Sequence, residues 1–467
     1  MTSLATAQVP DVLIAGAGNA ALCAAITASA QGARVLVLEA APRASRGGNS
    51  RHTRNFRLAH DAATDTLTGP YRVEEYWDDL MRVTGGETDE DLARFMLEDS
   101  ARLPHWLGEQ GVRFQPPLSG TLSLGRTNAF YLGGGKAMMN TLYRSAERLG
   151  VTIAYDAAVT GLEIEGSCFL SATVSQGGVA HRVEARAFIA AAGGFEANID
   201  WLKEIWGEAA DNFIIRGTPY NKGAVLKLLL DADVQPVGDP KQCHAVAVDG
   251  RAPKFDGGIV TRLDCVPFGI VVNREATRFY DEGEDFWPKR YAIWGRLVAA
   301  EPGQIGYVII DEKSIRSFIP SVFPPQTAPS IAELAGKLEL DPARLEAVVS
   351  SFNAACRPGT FDHTILDDCR TDGLTPPKSH WARPIDTPPF YGYMLRPGIT
   401  FTYLGVGVNR QARMIMADGK SAENMFAAGE IMAGNILGKG YLAGIGMTIG
   451  SVFGRLAGEE AARHAGN

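Results

Sequence analysis

Gly16, Gly18 and Ala21, in the run Gly16-Ala17-Gly18-Asn19-Ala20-Ala21, have the spacing of a phosphate-cradling turn. Gly16 permits the tight turn and Gly18 lets the backbone approach a pyrophosphate. Ala21 keeps a helix close to its sheet, and the helix N-terminus offers N–H groups to the anion. Glu39 lies about twenty residues further on, where an acid accepts hydrogen bonds from a ribose. The glycine spacing alone is weak evidence, so the flanking elements decide. Residues 11–15 form a short apolar run, an alanine-rich stretch keeps helical periodicity to Gly32, and residues 34–38 read as a second buried strand ending at Glu39. A strand, turn, helix and strand in this order make a nucleotide-binding unit.

Later segments favour FAD over NAD. Arg46-Gly47-Gly48-Asn49-Ser50 follows the acid, where flavoproteins run a second loop past the pyrophosphate and ribityl chain. Ala190-Ala191-Ala192-Gly193-Gly194-Phe195 resembles their strand-plus-glycine element. Phe426-Ala427-Ala428-Gly429-Glu430 resembles the late strand whose acid meets the ribityl hydroxyls.

Composition bounds the rest. At 467 residues the chain exceeds one simple core, since domains average roughly 150 residues. A net charge of −8 offers no basic field for a phosphate backbone, so nucleic acid is not an expected partner. The cysteines (Cys23, Cys168, Cys243, Cys265, Cys356, Cys369) lack the spacing of a zinc or iron–sulfur site. They read as reduced core residues of a cytoplasmic protein, with no metal expected. Residues 1–10 lack the charged-then-apolar order of a secretory signal, and no apolar run is long enough to span a membrane.

The chain divides by texture. Helical stretches are expected at 74–81 and 89–109, and strands at 151–155, 161–165 and 183–191. Proline-rich breaks at 320–329 and 376–389 flank a helical pattern over 330–352, which marks an insertion. A strand and turn return at 425–430, and a long helix over 444–464 closes the chain. The expected division is an FAD-binding domain from 1–240 and 386–467 with a capping domain at 241–385.

With these segments in place, the sequence resembles the fumarate reductase/succinate dehydrogenase flavoprotein family. Within it the sequence is most similar to the FAD-dependent tricarballylate dehydrogenases, which oxidise tricarballylate to cis-aconitate. The stretches 16–25, 46–55, 84–86, 113–120, 126–135, 281–295 and 438–450 carry the resemblance. It implies an α/β fold, a Rossmann-like FAD-binding domain with an inserted α+β capping domain and substrate held between them. It implies FAD contacts from Gly16, Ala17, Gly18, Asn19, Ala20, Glu39, Ala40, Gly47, Gly48, Asn49, Ser50 and Val159. Further contacts come from Ala192, Gly193, Gly194, Gly429, Glu430, Ala443, Gly444 and Ile445. Ser50-Arg51-His52-Thr53 is similar to the Ser-His-Thr at which membrane-bound relatives attach FAD covalently, but Arg51 intervenes.

For the substrate, Gln242-Cys243-His244 resembles the family's Gln-x-His, which makes His244 a carboxylate ligand. Val260-Thr261 matches the family, but Arg262 stands where its relay acid belongs. Arg290 matches the catalytic arginine best, with Lys289 and Arg296 as competitors. The family's second histidine falls at Phe401 beside Thr402, and its late arginine falls at Tyr441. An added cation suits a third carboxylate, because arginine clamps carboxylates bidentately. The implied reaction passes a hydride to the flavin N5 while Arg290 takes the neighbouring proton. Electrons would leave to a separate membrane-associated iron–sulfur and haem protein, with peripheral attachment at the inner membrane. A 3-ketosteroid-type dehydrogenase, a precorrin-processing monooxygenase and a non-catalytic electron-relay subunit remain as alternatives.

Overall fold

The computed structural model describes residues 9–117 and 124–466, so 1–8 and the 118–120 end of the family-like stretch lie outside the described residues. The first strand, β1 (Val12–Ala15), and the second, β2 (Val35–Leu38), are buried along their whole length. Continuous apolar strands of this kind belong inside a parallel sheet covered on both faces. β1 is central in a six-stranded sheet, paired in parallel with β2 and with the strand Ala187–Ala190. Thr152–Ala154 extends the β2 side in parallel, and Ser421–Ala427 extends the other side, followed by the antiparallel edge strand Arg413–Ile415. Segments from both ends of the sequence thus share one sheet. The fold is α/β.

The helix α1 (Asn19–Ala30) leaves β1 through Gly16, whose φ of +100° is open to glycine alone at low cost. A side chain there would also collide with the Ala191 backbone. The closing helix Ile445–Gly466 lies against α1 at very short range: a Cβ at Gly454 would meet the Ala20 carbonyl oxygen at 2.5 Å, and one at Gly458 would collide with that of Ala24. Small residues one turn apart let the two backbones approach.

The chain forms two compact units. One comprises Met1–Trp201, Gly217–Cys243 and Thr400–Asn467, and the other Leu202–Arg216 and His244–Ile399. The second unit adds 202–216 and 386–399 to the 241–385 segment expected from composition and leaves 241–243 in the first unit. It is α+β: the long strand Phe390–Thr402 pairs with Gly306–Asp311 and Gln326–Ala328, and the helices Ile331–Lys337 and Pro342–Ala355 supply Leu334, Leu345 and Phe352 to the core under Ile270, Val272 and Ile309.

Three expected elements divide. The 89–109 helix is Glu90–Ser100 followed by Leu103–Glu109, where Pro104 sits in a new first turn. The 330–352 helix breaks before Asp341, whose carboxylate accepts from the Arg344 N–H at 2.9 Å and caps the helix that opens at Pro342. The 183–191 strand is two strands, Val179–Glu184 in an antiparallel hairpin sheet and Ala187–Ala190 in the parallel one.

Candidate functional site

In the first unit, the loops that leave the carboxyl ends of β1, β2, Ala187–Ala190 and Ser421–Ala427 carry the expected cofactor residues. This is the edge at which open α/β sheets bind ligands. Gly18 is the N-cap of α1 and no side chain caps that helix. A Cβ built on Gly18 would have no protein atom nearer than Ser50 Oγ at 3.6 Å, so the chain's own packing does not require glycine there. The room suits a pyrophosphate, and the first-turn N–H groups suit its charge.

Asn19 contributes its backbone to this turn, its N–H donating to Ser50 Oγ at 3.1 Å. Its side chain is committed elsewhere, to Met447 O at 3.2 Å and Ser451 Oγ at 2.9 Å on the closing helix. Glu39 is buried and accepts from the N–H groups of Ala41 at 3.0 Å and Gly47 at 3.4 Å. Burial pushes its carboxyl up, and those backbone donors pull it back. A carboxylate has about four acceptor positions, so capacity is left for ribose hydroxyls. Ala40 follows Glu39 in this loop, and Gly48 and Ser50 lie in the short helical turn Gly48–His52. Val159 is buried in the flanking strand Ala157–Glu165.

Asn49 ties three segments together. Its amide donates to Glu196 Oε1 at 2.5 Å and to Thr400 O at 2.7 Å, and its oxygen accepts from the Thr218 N–H at 2.8 Å. Thr402 Oγ1 accepts from the Phe195 N–H and donates to Glu430 Oε1, both at 3.3 Å. Thr402, expected at the substrate, is thus built into the polar cluster behind Gly193-Gly194. Before the closing helix, Ala443 O accepts from Arg57 Nε at 3.1 Å and Asn128 Nδ2 at 2.7 Å. Arg57 is fully buried, beside Asp79 at 3.6 Å, and clamps the turn through Gly444 and Ile445 that opens this helix. Tyr441 packs on Phe401 with ring centroids 5.9 Å apart, and its hydroxyl accepts from the Gly446 N–H at 3.1 Å.

The second unit groups the other candidates. The buried strand Cys243–Asp249 presents His244, whose ring meets Tyr291 edge-on at 5.7 Å. Burial first, and then the charges of Arg216 and Arg262, hold His244 well below the ordinary histidine range. It is neutral at pH 7. The Arg262 guanidinium lies 4.8 Å from the Tyr291 ring, its side chain buried, with Nε 2.7 Å from Asp264 Oδ1. Trp287 Nε1 donates to the same carboxylate at 2.7 Å. Arg262 is therefore one half of a neutral pair and not the uncompensated cation that the sequence suggests. Arg290 ends the short helix Trp287–Arg290 and is paired with Glu284, which also accepts from Tyr280 Oη at 2.6 Å. Burial, and then Glu284, push the Tyr280 phenol up to about 12.

Sequence reasoning missed Asp264, Glu284 and Glu196. Asp264 stands two residues after Arg262, a spacing that puts extended side chains on one face, so its pairing was open to inference. Nothing near Glu284 in the sequence announces a partner for Arg290, and nothing near Glu196 announces a buried acid.

Comparison with known proteins places this geometry. A family model described as an FAD binding domain matches residues 11–447. The chain belongs to that FAD-binding family. Its cofactor is FAD, and the residues around Gly18 and Glu39 fit it. An NADH:fumarate oxidoreductase of Klebsiella pneumoniae (strain 342) is 24% identical over 97% of this chain and 48% of its own length, so the chain spans about half of that relative. The open form of a flavocytochrome c3 fumarate reductase superposes with a TM-score of 0.76 at 22% identity, covering 99% of this chain and 79% of the other. A 3-ketosteroid-Δ4-(5α)-dehydrogenase from Rhodococcus jostii RHA1, in complex with 4-androstene-3,17-dione, superposes with a TM-score of 0.72 at 22% identity, covering 98% and 99%. These likenesses show the fold. Among the described residues no helix is long and apolar enough to cross a membrane, and no group of histidine, cysteine and carboxylate side chains could hold a metal ion.

Proposed function

We propose that this flavoprotein is a dehydrogenase that oxidises a CH–CH bond between carboxylates, with tricarballylate as substrate and cis-aconitate as product. The observation that carries this reading is the grouping of Arg216 and Arg262 beside buried, neutral His244, with the Tyr291 ring against both His244 and Arg262 and Arg290 next to Tyr291 in the chain. Such a set suits the charged ends of a polycarboxylate, whereas a steroid calls for an apolar cleft. FAD, held by Gly16, Gly18, Glu39, the 47–50 loop and Glu430, supplies the hydride acceptor when bound.

The chain's own groups do the rest. Guanidinium N–H groups clamp carboxylates in fixed geometry. His244, neutral because of its burial, donates one N–H without adding charge. Arginine is too weak an acid to be a free base at neutral pH, so Arg290 serves as a conduit. It takes the substrate proton as it passes one of its own to Glu284, and Tyr280 steadies that carboxylate. In this reading electrons leave to a separate acceptor protein, as the family resemblance implies.

Arg290→Gln tests this role. Tricarballylate turnover with a dye acceptor should fall by about 10²- to 10⁴-fold, the usual worth of a general base, with FAD content unchanged. Retained turnover would remove Arg290 from the mechanism. Absence of turnover in the unaltered protein with any carboxylate would instead favour a relay subunit.

A further inference from the structure

Two carboxyl groups in the first unit remain without an assigned charge. Glu196 and Glu430 follow neighbouring parallel strands, Ala187–Ala190 and Ser421–Ala427, and their side chains are within hydrogen-bonding reach of each other. Both are buried, Glu196 completely. Glu196 Oε1 accepts two amide N–H groups, from Asn49 at 2.5 Å and from Asn221 at 2.8 Å. Glu430 Oε1 accepts from the Thr402 N–H at 2.8 Å and its hydroxyl at 3.3 Å. Glu196 Oε2 is buried with no hydrogen-bond partner among the described residues, which leaves it as the acceptor open to the neighbouring Glu430 carboxyl. A side chain on Gly194 would collide with Thr402 Oγ1 and Glu430, so the backbone closes the cluster from a third side.

Two carboxylates in contact and away from water cannot both stay ionised. Donors decide which one keeps the proton. Two side-chain amides stabilise a charge on Glu196, while Glu430 meets the Glu196 charge directly. The directions agree: burial raises both groups, and burial first and then the Glu196 charge hold Glu430 well above the ordinary range.

We propose that Glu196 and Glu430 hold one proton between them, with Glu430 as the acid and Glu196 Oε2 as its acceptor, and that Glu196 is the positioning residue that fixes Glu430 in the FAD cradle. This rests on the FAD reading of the first unit. Through Asn49, Glu196 also joins the 47–50 loop and, at Thr400 O, the start of the 400–402 segment, and through Asn221 it joins the chain after Gly217. The proton limits the buried charge to one. FAD brings a pyrophosphate anion to the same sheet edge, so a second buried charge would weaken its retention.

Infrared spectra of the FAD-loaded protein in H2O and D2O, for the wild type, Glu196→Gln and Glu430→Gln, test the pair. Each variant leaves one carboxyl with an amide donor, which can ionise. Both wild-type-minus-variant differences should therefore contain the same deuterium-sensitive carboxylic-acid C=O band. No such band in either difference, or its loss in Glu430→Gln alone, would overturn the shared proton. Should a variant fail to fold, wild-type protein carrying ¹³C-carboxyl glutamate must show a downshifted acid band at mildly alkaline pH, and its absence would overturn the proposal equally. The visible flavin spectrum of the same samples tests the FAD reading separately.

Discussion

His244 and Arg262 show how burial changes what a side chain can do. With its folded pKa held far below 6.5, His244 stays neutral while the unfolded chain's histidine takes up a proton below about pH 6.5. The unfolded state then binds more protons, so stability is present above that pH and is lost as pH falls, by up to about 1.4 kcal/mol per unit. His244→Gln should flatten the acid limb of a urea-unfolding series between about pH 6.5 and 5, and an unchanged limb would mean that His244 titrates normally. Arg262→Met should cost about 3–5 kcal/mol in the same assay, because it strands Asp264 as a buried charge. Adding Asp264→Asn should recover much of that loss. If Arg262 also clamps the third carboxylate, the double variant should lower the ratio of kcat/KM for tricarballylate over succinate roughly 30-fold or more, the worth of a lost charged contact. An equal effect on both substrates would leave Arg262 a structural partner of Asp264. The sequence revealed the cations but not their counter-ions. A motif names a residue type at a spacing, whereas pairing depends on what burial brings beside it.

At the scale of elements, patterns that are local in sequence were legible and those that depend on sheet choice were not. β1, α1, β2 and the closing helix follow from apolar periodicity and glycine punctuation. The run at 183–191 could not show that one alternating stretch serves two sheets, because the residues of a strand do not name its neighbour. Two substitutions separate roles within the nucleotide unit. Gly18→Val places its first carbon in space that no protein atom fills within 3.6 Å, so the FAD-free protein should unfold within about 0.5 kcal/mol of the wild type while FAD is lost on gel filtration. Full FAD content in that variant would misplace the pyrophosphate. Gly454→Leu presses instead on the Ala20 carbonyl oxygen at 2.5 Å. It should cost about 1–3 kcal/mol by overpacking the contact between the closing helix and α1, readable as a lower urea midpoint even without FAD.

Across the whole molecule, one sheet draws on segments from both ends of the sequence, and the candidate cofactor loops leave its edge. Ligand binding to the folded state alone adds stability by mass action, about 2.7 kcal/mol at a hundredfold excess over Kd. Removal of FAD should therefore lower the Tm measurably, and readdition should restore it in a concentration-dependent way. The class of reaction was legible because the flavin loops recur in order along the sequence. The substrate was less so, since the groups proposed to bind carboxylates in the second unit are defined by their ion pairs and not by a motif. Anaerobic mixing of the FAD-loaded protein with a panel of di- and tricarboxylates and a 3-ketosteroid, following flavin absorbance near roughly 450 nm, addresses that question most directly. Tricarballylate should bleach the flavin faster and more completely than succinate, and the steroid should leave it oxidised. Bleaching by the steroid with no response to any carboxylate would contradict the account.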